Sequence, residues 1–191
     1  FDNADFGYRR VIVERPLRLR FQITAEAKTQ FLDACPALLD AVRTMEQTLG
    51  TERHRDWNAV SATVQRVVWK AEARWTAANK KLFRQCFTTV DPEAEPVIAR
   101  LHGSPLPQAG EGLGVRADLT PEELSALCGV YPDPSGKKGR WVEYEPDPAL
   151  RDSENVPLKE NIVAFFLREV RPFAPDAWID RETVDEQDSG I

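Results

Sequence analysis

The sequence predicts an α+β fold, mainly helical, in which a helical bundle-like body carries one small antiparallel β-sheet made by the N-terminal strands. Three patterns lead to it. Between Leu17 and Thr24 apolar and polar residues alternate strictly: Leu17, Leu19, Phe21 and Ile23 against Arg18, Arg20, Gln22 and Thr24, the period of a strand with one buried face. From Thr24 to Phe87 the apolar residues recur instead every three or four positions, the period of helices that pack by one face. A further helical stripe runs through Ile162, Phe165, Phe166 and Val170.

In chain order, Tyr8 to Arg15, centred on Val11-Ile12-Val13, reads as a first strand. Pro16 cannot donate to a ladder and separates it from the second, so the two strands meet at a corner. Thr24 is placed to cap a helix opening at Ala25. Pro36 then restarts the helix at a first turn, and a stripe of Leu38, Leu39, Val42, Met45 and Leu49 ends at Gly50, a C-cap residue. Asp56 caps the strongest helical pattern, Val60, Val64, Val67, Val68, Ala71 and Trp75, whose other face carries Arg66, Lys70 and Arg74 as an i, i+4, i+8 row. Asn79-Lys80-Lys81 leads into a segment with Leu82, Phe83, Cys86 and Phe87.

Asp91 to Ala99 reads as a short helix opened by D-P-E-A-E, its carboxylates at the positive end of the dipole. His102 to Val115 holds four glycines and two prolines and is a loop. Thr120-Pro121-Glu122-Glu123 opens another helix that runs through Leu124 and Leu127 to Gly129. Arg140 to Glu145 is a strand able to join the N-terminal pair, Glu145 to Pro157 an extended surface segment, and Leu158 to Val170 an amphipathic helix stopped by Pro172. Trp178 and Ile179 dock on the body, and an acidic, frayed tail begins at Asp180. The resulting segments are 1–101, basic strands with the helical body; 102–119, a loop; 120–180, helix, strand and C-terminal helix; and 181–191, an acidic flexible tail.

Composition narrows the function classes. With 42% hydrophobic and 29% charged residues over 191 positions, the chain is an ordinary globular protein; its apolar runs are a few residues long, far from the ~20 that cross a bilayer, and no secretory signal opens it. Cys35, Cys86 and Cys128 lie far apart, and His54 and His102 have no metal-ligand spacing, so no disulfide framework or zinc site is expected and a cytoplasmic location is. The net charge of −6 is unevenly spread, with 15 Lys/Arg against 10 Asp/Glu from Phe1 to Arg84 and the excess reversed beyond. A polyanion partner would meet the basic half.

Two motifs are set aside. Asp5-Phe6-Gly7 spells the kinase D-F-G, but neither a glycine-rich strand nor the V-A-I-K and H-R-D elements accompany it. Gly110, Gly112 and Gly114 form G-x-G-x-G without the strand before and helix after that a nucleotide loop needs.

Two stretches carry a family resemblance. D-F-G-Y-R-R-V-I-V-E-R-P-L-R-L at Asp5 to Leu19, and E-P-D-P-A-L-R-D-S-E-N-V-P-L at Glu145 to Leu158 with R-E-V-R-P-F-A-P-D-A-W-I-D at Arg168 to Asp180, resemble, in the same order, the modification (methyltransferase) subunits of type I restriction-modification systems, downstream of their catalytic domain. Ala25 to Tyr144 is largely outside the match. The resemblance implies a parent protein that methylates adenine N6 in DNA with S-adenosylmethionine, partnered by a specificity subunit, a restriction subunit and duplex DNA. It implies no catalytic, cofactor-binding or metal residue in this chain: the chemistry uses a glycine-rich strand-loop-helix and an N-P-P-F/Y box, and no P-P dipeptide occurs here. The abrupt start at Phe1 and the single Met fit a piece of a longer protein, expected to be inert alone.

The leading expectation is therefore an accessory and assembly region whose Arg9, Arg10, Arg15, Arg18, Arg20, Arg66, Lys70 and Arg74 are available to DNA phosphates. For the opening arginines, pairing with local acids such as Asp2, Asp5 and Glu14 is the competing use. The alternatives are a stand-alone helical protein-interaction module without nucleic-acid contact, recognised by binding indifferent to salt, and an independent DNA-binding domain, recognised by steep salt dependence.

Overall fold

The computed structural model describes residues 7–103 and 119–188, with only the backbone described over 185–188. The fold is α+β and mainly helical, with its strands in small antiparallel sheets. The first elements are strands β1 (Tyr8–Glu14) and β2 (Leu19–Phe21), then helices α1 (Ala25–Ala34), α2 (Leu39–Leu49), α3 (Trp57–Lys70) and α4 (Ala77–Phe87). Strands β3 (Thr88–Val90) and β4 (Ile98–His102), helix α5 (Pro121–Leu127), and strands β5 (Val130–Pro132), β6 (Trp141–Tyr144) and β7 (Asp152–Pro157) follow. Helix α6 (Ile162–Phe165), strand β8 (Trp178–Ile179) and helix α7 (Arg181–Asp188) close the chain. It divides into two compact units, Arg18–Val97 and Phe1–Leu17 with Ile98–Ile191, so the sequence segment 1–101 is shared between them.

The unit Arg18–Val97 is the helical body. Thr24 accepts from the Ala27 N–H at 3.1 Å and Asp56 from the Ala59 N–H at 3.0 Å, so both predicted N-caps are in place. Gly50 ends α2 with φ 75°, a left-handed value open to glycine. The apolar stripes converge on a core in which Phe21, Phe31, Phe83 and Phe87 pack ring to ring and Met45 and Val42 close the side facing α2. The alternation of the opening stretch is realised as burial: Leu19, Phe21 and Ile23 lie inside this unit and Leu17 inside the other.

Helix α3 stops at Lys70, a turn short of the expected stripe through Ala71 and Trp75. The reason is a C-terminal cap: the Glu72 N–H donates to the Trp69 carbonyl at 3.1 Å and the Ala73 N–H to that of Val68 at 3.2 Å, with Glu72 at φ 49° where glycine is usual. Arg74 therefore leaves the predicted helical row. The Asp91 to Ala99 helix is also not formed. Asp91 accepts from the Glu93 N–H at 3.0 Å, a local turn that competes with the helix, and Ile98–His102 is a strand.

The unit Phe1–Leu17 with Ile98–Ile191 is built on β1. The two N-terminal strands do not pair with each other. Strand β1 lies between β7 and β8, antiparallel to both, whereas β2 pairs with β3. Strand β6, expected to extend the N-terminal pair, lies instead between β4 and β5. Pro16 is the corner: past it the Leu17 N–H donates to the Glu145 carbonyl and the Asp147 N–H to that of Arg15, which ends β1 and directs the chain away. Part of the segment Glu145 to Pro157 is thus strand β7, recruited by β1 although only Val156 of its residues is buried.

The predicted Thr120 cap is a full capping box with Glu123. The helix expected over Leu158–Val170 begins later, capped by Asn161, and passes into a π-turn at Phe166–Val170. Arg181–Asp188 is helical rather than frayed: Asp180 accepts from the Glu182 N–H at 3.1 Å, and Val184 is buried in the core that Val11, Val13, Val163 and Ile179 share.

Candidate nucleic-acid interface

The five opening arginines do not form one cationic face. Arg9 and Arg10 are neighbours on β1 and so point to opposite sides of its sheet. Arg9 donates to the Glu160 carbonyl at 2.8 Å, and its buried Nε has no partner among the described residues. Arg10 donates to the Ser153 hydroxyl at 3.2 Å, and Arg15 is ion-paired to Asp176 at 2.9 Å. Arg18 and Arg20 belong to the helical unit. There Arg18 donates to the Ala94 carbonyl at 2.7 Å, while Asp91 takes an ion pair from Arg55 at 3.3 Å. The Glu93 N–H bond, aided by Arg55 and Arg20, holds the Asp91 carboxyl below its ordinary range. Arg9, Arg10 and Arg15 tie together parts of the unit built on β1, and Arg18 holds the turn at Ala94. Asp2 and Asp5, the other acids expected to meet them, lie outside the described residues.

Arg66, Lys70 and Arg74 are placed differently. All three are exposed. Arg66 and Lys70 stand one turn apart on the outer face of α3, where Arg66 donates to the Thr63 hydroxyl at 2.9 Å and to the Ala62 carbonyl of its own helix at 3.4 Å, and Arg74 follows in the connection to α4. Lys80 and Lys81, where the first turn of α4 passes into the second, are exposed too. From Arg66 to Arg84 the sequence has six cations against the one carboxylate of Glu72. Among the described residues, no ion pair engages Arg66, Lys70, Arg74, Lys80 or Lys81.

Trp69 completes that face. It is 79% exposed, an unusual state for the residue with the largest apolar surface. It lies nine positions after buried Val60, about 180° round a helix of 3.6 residues per turn. That offset is visible in the sequence, where Trp69 falls off the buried stripe of the helix.

A concave site lies within the unit Phe1–Leu17 with Ile98–Ile191. It is a cleft of about 500 Å³ lined by Glu14, His102, Glu143, Arg151, Trp178 and Asp180 among others. Arg151 bridges Asp180 at 2.7 Å and Glu14 at 3.4 Å, and the Trp178 indole N–H donates to Glu14 at 3.2 Å. Burial, then the Asp180 charge, pushes the Glu14 carboxyl up against the opposing pull of Arg151 and Trp178. His102 meets Glu143 at 3.0 Å. Each acid in this network has a cation or donor, the arrangement of an internal brace. His54 is structural as well: its ring Nε2 donates to the Leu49 carbonyl at 2.8 Å while its backbone pairs with Phe21.

Among the described residues no three His, Cys, Asp or Glu gather to hold a metal, and no helix is long and apolar enough to cross a membrane. The described strand pairs are all antiparallel, so no parallel strand-loop-helix of the kind that holds S-adenosylmethionine is present among them. Strand β4 does end at His102, ahead of the Gly110-x-Gly112-x-Gly114 run, but those glycines lie outside the described residues. Comparison with protein-family models, with curated proteins and with solved structures finds no match.

Proposed function

We propose that this chain is an accessory and assembly region of a type I restriction-modification methyltransferase subunit, lying downstream of the catalytic domain and contributing contacts to the specificity subunit and to the DNA backbone. One observation supports the reading above the others. The stretches that resemble the family, Asp5–Leu19, Glu145–Leu158 and Arg168–Asp180, are more than a hundred residues apart at the extremes, yet they supply β1, β7 and β8 of a single sheet. Backbone bonds between Leu17 and Glu145 and between Arg15 and Asp147 continue the union at its corner. The helical unit that departs from the resemblance, Arg18–Val97, leaves the sheet after Leu17 and is compact by itself. A family segment interrupted by a separate helical unit would have this arrangement.

In this reading the parent's catalytic domain supplies the S-adenosylmethionine site and the adenine pocket, and the residues here bind and position. The sheet of β1, β7 and β8 presents the subunit contact, and the cations of α3 and its C-terminal connection meet phosphate.

The test is assembly. Co-expressed with the specificity subunit of its own system, the protein containing this chain is expected to co-purify as a stoichiometric complex, and Val11→Asp, which puts a charge into the core beneath β1, is expected to abolish it. A parent protein that folds and does not associate with that subunit would refute the assembly role.

A further inference from the structure

The exposed face of α3 has a composition that phosphate contact alone does not require. Ala62, Gln65, Arg66, Trp69 and Lys70 stand on it at helical spacing, all exposed, with the indole one turn from Arg66 and next in sequence to Lys70, two cations that lack ion-pair partners among the described residues. The burial stripe of the same helix, Val60, Val64, Val67 and Val68, is already filled by the core, so Trp69 is not displaced from any packing site.

Two partners could cover such a surface. A protein partner would bury Trp69 at the centre of an apolar patch, where tryptophan and arginine are common but lysine is depleted. The residues that share its face of the helix are Arg66, Lys70, Gln65 and the small Ala62, with no second large apolar side chain among them, and the segment Arg66–Arg84 carries a strong positive excess in a chain of net charge −6. A nucleic-acid strand uses the same groups together, with phosphates on the cations and a base on the ring, because every base offers a π-face to an aromatic platform.

We infer that the outer face of α3 is a docking surface for a nucleic-acid strand with unpaired bases, in which Trp69 stacks on a base while Arg66 and Lys70 hold the flanking phosphates. Arg74 in the following connection extends the track. This rests on the reading of Arg66, Lys70 and Arg74 as phosphate contacts and adds to it the aromatic platform and the preference for an unpaired strand.

The experiment uses the whole chain and two fluorescently labelled oligonucleotides, a 20-nucleotide single strand and its duplex, titrated by anisotropy at several salt concentrations. The single strand is expected to bind more tightly than the duplex. Trp69→Ala is expected to weaken single-strand binding about 5- to 150-fold, the range for loss of one stacked base, with Trp69→Phe retaining most of it. Arg66→Gln with Lys70→Gln is expected to lower the log-log salt slope on the single strand by about 1.4, at about 0.7 per phosphate released. Single-strand affinity unchanged by Trp69→Ala would overturn the inference, as would competition by polyglutamate as effective as that by the oligonucleotide. A chain that fails to bind either oligonucleotide while its parent still assembles with the specificity subunit would remove this surface and leave the assembly role intact; binding without assembly would do the reverse.

Discussion

Phe21→Ala should destabilise the helical unit Arg18–Val97 by about 3–5 kcal/mol, the usual cost of emptying a buried phenylalanine site. Phe21 is fully buried, and its ring lies 6.0 Å from that of Phe83, 6.1 Å from Phe87 and 6.2 Å from Trp57. The same residue also pairs its backbone with His54 in both directions, at 2.8 and 2.9 Å, so the vacancy opens where strand β2 joins the helices. These rings belong to two different helices, α3 and α4, and cannot all collapse into one space. Urea denaturation of the intact chain reads the loss, and hydrogen exchange locates it: amides of α1, α3 and α4 should lose protection. A cost below about 1 kcal/mol would mean that the aromatic cluster is not the centre of that unit.

Gly129→Ala should cost about 2–4 kcal/mol in the other unit, as left-handed strain and overpacking add. Gly129 has φ +76°, and a methyl group there would come within 2.9 Å of the Trp178 Nε1 and 3.0 Å of its ring carbons. Trp178 cannot retreat, being buried on β8 beside β1. Any shift of the indole also takes its N–H from Glu14, whose carboxyl burial already pushes up, so the brace through Arg151 and Asp180 loosens with it. Thermal unfolding of the variant measures the cost, and a melting temperature equal to that of the original chain would contradict the crowding at β8.

What the sequence disclosed was what depends on near neighbours. The caps at Thr24, Asp56 and Thr120 each need a side chain and an amide three residues on, and all three form. The alternation from Leu17 to Ile23 marks burial residue by residue. The partners of strands were not legible, because a strand's register is set across the fold. β7 reads D-S-E-N-V-P, a poor strand by composition, and is a strand because β1 offers it a ladder. β5 includes Pro132 and was hidden in a turn-rich stretch. Asp91 shows the limit in the other direction, since the same carboxylate that favours a helix start also serves a local turn, and the turn prevailed here. At the candidate interface, the sequence marks Arg66, Lys70 and Arg74 as cations no differently from the five opening arginines, four of which bond within the chain. Trp69 is legible from its angle on α3, because an aromatic residue about 180° from Val60 has no place in the core.

The most direct measurement is transfer of labelled methyl from S-adenosylmethionine to adenine N6 of duplex DNA by the protein containing this chain, in complex with its specificity subunit, with and without the sheet-disrupting Val11→Asp. The intact complex should incorporate label and the variant should lose transfer to DNA while still binding the cofactor. An intact complex that transfers no methyl group to DNA, or a variant that transfers it undiminished, would contradict the role proposed for this region.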